Sequence, residues 1–446
     1  MTTATAGASP GTARPLPRSR ILLLAAACGV AVANIYFPQA ITPLIARGLR
    51  VSPGSATLVA TAAQAGYAAG IFLLVPLGDR LRHRLLIVTL LLLTGAGLGA
   101  AALAPSLAVL IAASAAIGIT TVVPQILLPM TAGLVSPGQR AAVTGTLLSG
   151  LLAGVLLARA FSGTLGAWLG WRAPYGICAA LAIVLAAVMT RAVPDTTPAT
   201  GHGYSSLLAT ALRLMRTQPA LRRSCLNQAS MFAGFTAAWT TLPLLVTGPH
   251  LRLSTAAAGL IALAGAGSVL VTPYAGRYID RRGPDPVNRY CCTLAIAAAA
   301  ILLAGTAGRA TAIPVLITGM LLLDSAIQSG QVANQARIFA LAPHYRSRLN
   351  TAYMTCAFLG GSAGSWLGVR AYQDLGWPGV CALAAALAAL PLLAMLSPTP
   401  RTPRHSPDPD TRTLTRTESQ LHPRAGAEES RAERDSLKII STGNST

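Results

Sequence analysis

Long apolar runs recur along the whole chain, each about the length needed to cross a lipid bilayer. A membrane-spanning helix takes about 20 predominantly apolar residues at a rise of about 1.5 Å each. Twelve such segments can be laid out, at 21–46, 56–77, 84–104, 107–130, 141–165, 169–190, 224–247, 255–275, 289–307, 311–335, 349–370 and 376–396. In hydrocarbon every backbone polar group must be satisfied inside the protein, which leaves only helices and closed barrels. Runs of this length are helices. The expected fold class is therefore all-α integral membrane, with twelve transmembrane helices.

Composition agrees where it bears on this choice. Only 11% of the residues are charged and the mean hydropathy is +0.57, whereas soluble domains carry about 25% charged residues. The formal net charge of +21 would suggest a nucleic-acid partner in a soluble protein. Here the basic residues are nearly all Arg placed between apolar runs, as the positive-inside rule requires, and nothing resembles the interleaved aromatic and basic residues of a single-strand binder. No nucleic acid is expected. One side of the membrane collects roughly three times as many arginines as the other, which puts both termini in the cytoplasm and the chain in the plasma membrane.

The remaining segments follow from composition. Residues 1–20 read as a disordered cytoplasmic N-terminus leading into a first span rather than a signal peptide, because the apolar run continues past Ala40. Residues 191–223 read as a cytoplasmic linker whose stretch SSLLATALRLMRT is an amphipathic surface helix. Residues 397–446 are rich in Pro, Thr, Ser and Arg, hold all four glutamates (Glu418, Glu428, Glu429 and Glu433), and read as a disordered tail. The seven cysteines fall in or beside apolar segments without metal-ligand spacing, so neither disulfide, metal nor other cofactor is expected.

An internal repeat divides the spans into two halves, 21–190 and 224–396. LRVSPGSATLV from Leu49 echoes LRLSTAAAGLI from Leu251, an offset of 202. GDR at Gly78–Arg80 answers IDR at Ile279–Arg281, and LGW recurs at Leu169–Trp171 and Leu375–Trp377. Two parallel six-helix repeats around a central site is a transporter plan.

Polar residues inside the spans nominate that site. Asp324 is the only acidic residue in any long apolar segment and lies near the middle of its own. A carboxylate there costs roughly 2.5–3.5 kcal/mol on insertion scales and is tolerated facing a bundle interior or water. Gln328, Gln331 and Gln335 share its helical face. Arg159 is the other charged residue deep in a span. A proton-coupled cycle needs a carboxylate that gains and loses a proton and a cation that modulates it; Asp324 and Arg159 supply these types, and a static buried pair is the competing reading. In the seventh segment Gln228, Phe232, Phe235 and Trp239 fall on one face, an aromatic wall with one polar handle if it lines a cavity and ordinary packing if it does not. Asn34 and Gln39 lie near Pro38 and Pro43, and Gln125 lies between Pro124 and Pro129, where helix breaks expose backbone to a cavity. Gln64, a lone amide, reads as an interhelical hydrogen-bonding group.

In these features the chain resembles the major facilitator superfamily, and within it the bacterial twelve-span efflux permeases, over about 21–396. PLGDRLRHR at Pro76–Arg84 resembles the superfamily's loop between its second and third helices. The resemblance implies a cytoplasmic gate at Asp79 and Arg80, and a second copy in GRYIDRRG at Asp280 and Arg281. Val75 replaces the glycine expected before Asp79, whereas the second copy keeps it as Gly276. SGLLAGVLLARAFSG at Ser149–Gly163 resembles the antiporter helix in the spacing of Gly150 and Gly154, without its Pro; close helix packing would use the same glycines. The family's intramembrane Arg four residues before Gly118 is Ser114 here, so coupling through that Arg is not carried over. LGWRAP resembles one efflux subgroup.

No Walker sequence is present and His83, His250 and His344 lie in loops, His202, His405 and His422 in linker or tail, so neither an enzyme nor an ATP-driven pump is expected. The expected function is a monomeric secondary transporter, exporting small amphipathic or drug-like molecules in exchange for protons. A facilitator or importer in which Asp324 binds substrate instead, and a non-transporting membrane receptor, remain open at this point.

Overall fold

The computed structural model describes residues 17–136, 139–195, 203–249, 251–267, 274, 276–279, 281–306, 309–341 and 345–396. Asp280, the tail 397–446, residues 1–16, part of the linker and the end of the eighth apolar segment lie outside the described residues.

The first half is α1 (Arg18–Leu49), α2 (Leu58–Leu74), α3 (His83–Ala102), α4 (Leu107–Leu134), α5 (Arg140–Leu169) and α6 (Arg172–Ala192). The linker helix Tyr204–Thr217 follows. The second half is α7 (Pro219–Thr247), α8 (Thr255–Ala264, continued by a 3-10 turn to Gly267), α9 (Pro284–Leu303) and α10 (Arg309–Leu341). Its last helical stretch runs over 51 residues, Arg346–Leu396, but Gly376 inside it has φ 67°. An unbroken helix of that length would span about 76 Å, more than twice the hydrocarbon core. Gly376 divides it into α11 (346–375) and α12 (377–396). The result is an all-helical membrane fold of two six-helix halves.

The sequence repeat has a conformational meaning. Among the described residues the two non-glycine residues with positive φ are Arg50 (54°) and Arg252 (49°), the matching arginines of LRVS and LRLS. Left-handed backbone costs a non-glycine residue roughly 1–2 kcal/mol, so the two halves hold the same strained turn at the same place. The LGW copies match likewise: Gly170 (φ 84°) and Gly376 end α5 and α11, and the tryptophans behind them, Trp171 and Trp377, are buried. Trp377 donates from Nε1 to the Leu302 carbonyl at 2.7 Å.

Within the halves α1 packs along α5, α2 along α4 and α3 along α6; α7 packs along α11 and α9 against α12. Small residues set the distances. A Cβ built on Gly154 would stand 2.2 Å from the Gly29 carbonyl oxygen, and one on Gly364 2.1 Å from that of Ala233. The α1·α5 and α7·α11 pairs are therefore backbone-to-backbone contacts related by the repeat. The seam between halves is likewise two-fold, made by α2 against α11 and α5 against α8. Outward faces expose Leu85, Leu92, Leu157 and Ile183, with Trp168, Tyr290 and Trp366 exposed among them. That is the surface of a helix bundle solvated by lipid.

Prolines act as the sequence suggests in one helix and not the other. α1 runs straight on through Pro38 and Pro43. α4 breaks at Thr121 and Val122, just before Pro124, because the proline ring has no N–H to give the Thr120 carbonyl and crowds it, while Pro124 is at ease in the first turn of the piece that follows.

Candidate functional site: a buried charged cluster at the seam

Arg159 sits on α5, one and two turns past the glycines that draw α5 against α1. The close approach brings its Nε within 3.0 Å of Gln39 Oε1, to which it donates, and one turn on Ser162 donates to the Phe37 carbonyl at 2.9 Å. The guanidinium is enclosed by rings. Its carbon lies 4.1 Å from the Trp239 centroid, 5.0 Å from Tyr36 and 5.9 Å from Phe235. Arg159 is only 2% exposed and Asp324 only 4%.

Asp324 comes from α10 of the other half and stands close enough for its charge and that of Arg159 to act on each other. They do not close a direct ion pair, unlike Asp285, which pairs with Arg223 and Arg337. Gly265 makes room for the carboxylate, since a Cβ there would stand 2.7 Å from Asp324 Oδ2. The Trp239 indole also neighbours Asp324, without closing a hydrogen bond. Arg159 Nη2, Asp324 Oδ2, Trp239 Nε1 and Gln39 Nε2 are all buried and unpartnered. Native interiors pair nearly all buried polar atoms, so four unpaired atoms in one place make this cluster the candidate site.

The structure thus gathers Asp324, Arg159, Gln39, Phe235 and Trp239, and adds Tyr36. It places the other sequence candidates elsewhere. Asn34 donates to Thr121 Oγ1 at 3.3 Å, and Thr121 donates to the Ala31 carbonyl at 2.7 Å, so Asn34 holds the α4 break against α1. Gln125 donates to the Tyr67 hydroxyl at 3.3 Å. Phe232 stacks on Phe235 and meets Phe358 edge-on; Phe358 in turn meets Tyr67 across the seam, centroids 4.6 Å apart. Gln328 and Gln331 lie half-buried further along α10. Gln64 is fully buried, yet neither of its amide atoms has a hydrogen-bond partner; it makes no interhelical bond.

Gln228 belongs to a polar network that sequence reading missed. Asn227 donates to Asn288 Oδ1 at 2.8 Å, Asn288 to Asn334 Oδ1 at 3.2 Å, and Asn334 to Gln228 Oε1 at 3.5 Å, joining α7, α9 and α10. Amides in three separate apolar runs were the available signal. At the loop end, half-buried Asp79 faces Arg348 of α11 and His83, while Arg80 and Arg281 are exposed. The larger charge set against Asp79 is thus Arg348 of the opposite half, with His83 of its own half second, and not the adjacent arginine.

The chain as a whole has known relatives. The model of the Major Facilitator Superfamily matches residues 22–365. Over 373 residues the chain is 37% identical to the uncharacterized transporter YgaY of Escherichia coli O157:H7, covering 84% of this chain and 94% of that one. A chloramphenicol resistance protein of Streptomyces lividans is 27% identical over 271 residues, 60% of this chain and 68% of its own. Among solved structures, a variant of the nucleoside transporter NupG shares the fold with a TM-score of 0.68 at 12% identity, over 85% of this chain and 99% of that one. A family match over most of its length and close relatives named as transporters identify the chain as a multi-pass membrane transporter of the major facilitator superfamily, and not an enzyme.

Proposed function

We propose that this transporter exports small amphipathic organic molecules across the plasma membrane in exchange for protons, as a monomer with both termini in the cytoplasm. The observation that carries the reading is the placement of Arg159 and Asp324: opposite halves, both buried, neither closed into an ion pair. The resemblance to efflux permeases and the chloramphenicol resistance relative support the outward direction.

The cycle follows from charge. With an uncharged solute bound, the loaded carrier holds a cationic Arg159 and an ionised Asp324. After release outside, Asp324 takes a proton, and the returning carrier bears one more positive charge. Each turn then brings in one proton and one charge, so both the pH gradient and the membrane potential drive it. Inverted vesicles with an imposed pH gradient and labelled chloramphenicol among a panel of hydrophobic solutes test this. Accumulation should follow both components; accumulation indifferent to the gradient would leave a facilitator or importer.

The loop end supplies the gate in this reading. Asp79 on the first half and Arg348 on the second close one mouth of the site. Asp79→Asn removes one charge there and no core contact. It should insert and fold normally, while solute turnover slows several-fold, about the worth of one partly exposed charged contact of 1 kcal/mol. Wild-type turnover in Asp79→Asn would take the gate away from this pair.

A further inference from the structure

We infer that this site selects against organic cations and takes aromatic solutes, uncharged or anionic, that bring a hydrogen-bond acceptor to Nη2 of Arg159. The inference rests on the solute binding at the cluster just described, and not on the direction of transport or on its coupling.

Three aromatic faces converging at the membrane midplane would ordinarily suit an organic cation, which the negative face of each ring attracts. Here a cation is already inside. The Arg159 guanidinium lies over Trp239, Tyr36 and Phe235 at 4.1, 5.0 and 5.9 Å. Its Nε is tied to Gln39, and its helix is held backbone-to-backbone on α1 through Gly150 and Gly154. An arriving ammonium or phosphonium would meet rings whose faces are taken and a fixed like charge, and the one carboxylate of the cluster, Asp324, already has Arg159 acting on it.

The free hydrogen-bonding atoms point the same way. Because Arg can only donate, Gln39 must accept from it through Oε1, which leaves Gln39 Nε2 as a free donor. Arg159 Nη2 and Trp239 Nε1 are two more, so the fully buried atoms left without a partner are three donors against one acceptor, Asp324 Oδ2. If the indole turns to that oxygen, two of these buried donors still lack a partner. A site with surplus donors is complementary to a carbonyl, nitro or carboxylate group. A cationic solute has none of these to offer through its charge.

Three probes with one ring system separate the possibilities: 2-naphthamide, 2-naphthoate and (2-naphthylmethyl)trimethylammonium. Their equilibrium binding to the full chain in detergent is read by displacement of labelled naphthamide, without any gradient. The amide and the carboxylate should bind, with the ammonium at least about tenfold weaker, the scale of a like-charge clash. In Arg159→Gln the vacated rings face Asp324 directly, so the ammonium should gain at least about tenfold while the naphthoate loses as much. Equal binding of ammonium and amide by the wild type would overturn the inference, as would an unchanged order in a folded Arg159→Gln. Should that variant fail to fold, the wild-type order decides alone. The predicted order in a protein indifferent to pH gradients would retire proton exchange and leave the charge selectivity standing; equal binding in a pH-driven transporter would do the reverse.

Discussion

Asp324→Asn is expected to bind solute and exchange it down its own gradient while losing all accumulation against one. The amide keeps the shape and much of the hydrogen-bonding capacity of the carboxyl but cannot gain or lose a proton. In vesicles the internal solute should level off at the external concentration, and transport should no longer vary with pH. A merely structural Asp324 predicts something else. Its loss would leave Arg159, 2% exposed, as an uncompensated buried cation, which typically costs about 3–5 kcal/mol and would show as poor expression. The double variant Arg159→Gln with Asp324→Asn separates the two. A static pair removed together should regain stability and pH-driven accumulation alike, whereas a proton site should regain stability only. Recovery of accumulation in the double variant would sink the coupling role.

Gly154→Val should cost the fold rather than the chemistry. A Cβ on Gly154 would stand 2.2 Å from the Gly29 carbonyl oxygen and 2.4 Å from its Cα, and backbone atoms cannot swing aside. α1 and α5 would have to part, taking with them the Arg159–Gln39 and Ser162–Phe37 hydrogen bonds. Overpacking of a rigid contact costs about 1–3 kcal/mol, and lost buried hydrogen bonds add about 1 kcal/mol each. A large drop in melting temperature in detergent is expected. Gly145, on the same helix, has open space around its position, so Gly145→Ala should hold or slightly raise stability through helix propensity. If Gly154→Val melts like the wild type yet fails to transport, the glycine serves motion and not packing.

Much of the architecture was legible because lipid imposes length and periodicity on every span. The apolar runs marked the helices, and the repeated motifs marked the halves so closely that two of them turned out to be paired backbone turns, Arg50 with Arg252 and Gly170 with Gly376. Where helices met was less legible. Asp324 and Arg159 could be named from their charge, but their meeting depends on how α5 and α10 cross, which no periodicity encodes. Tyr36 was missed because a tyrosine beside apolar residues reads as packing until a guanidinium is seen against it. Asn34 was nominated for a cavity beside Pro38 and Pro43, and Gln228 as the polar handle of an aromatic face, yet their partners Thr121 and Asn334 lie far along the chain. Arg348 escaped for the same reason: the loop motif drew attention to Arg80, its neighbour in sequence, and the larger charge facing Asp79 belongs to the other half.

The outer part of the α2·α11 seam is fastened by hydroxyls. Thr61 Oγ1 and Ser365 Oγ are 2.9 Å apart, Ser365 and Thr240 3.0 Å, and Ser362 donates to the Thr61 carbonyl at 3.1 Å. Each of these groups can trade its partner for a water at nearly equal enthalpy. Deeper in, the same seam is closed by Tyr67 against Phe358, where water offers no such substitute. Parting the halves on this side therefore resembles a zipper that wets as it runs, easy for the first two turns and then stopped by a dry aromatic plug. Exchange of the backbone amides around Thr61 and Ser365 with heavy water should outpace that around Tyr67 and Phe358.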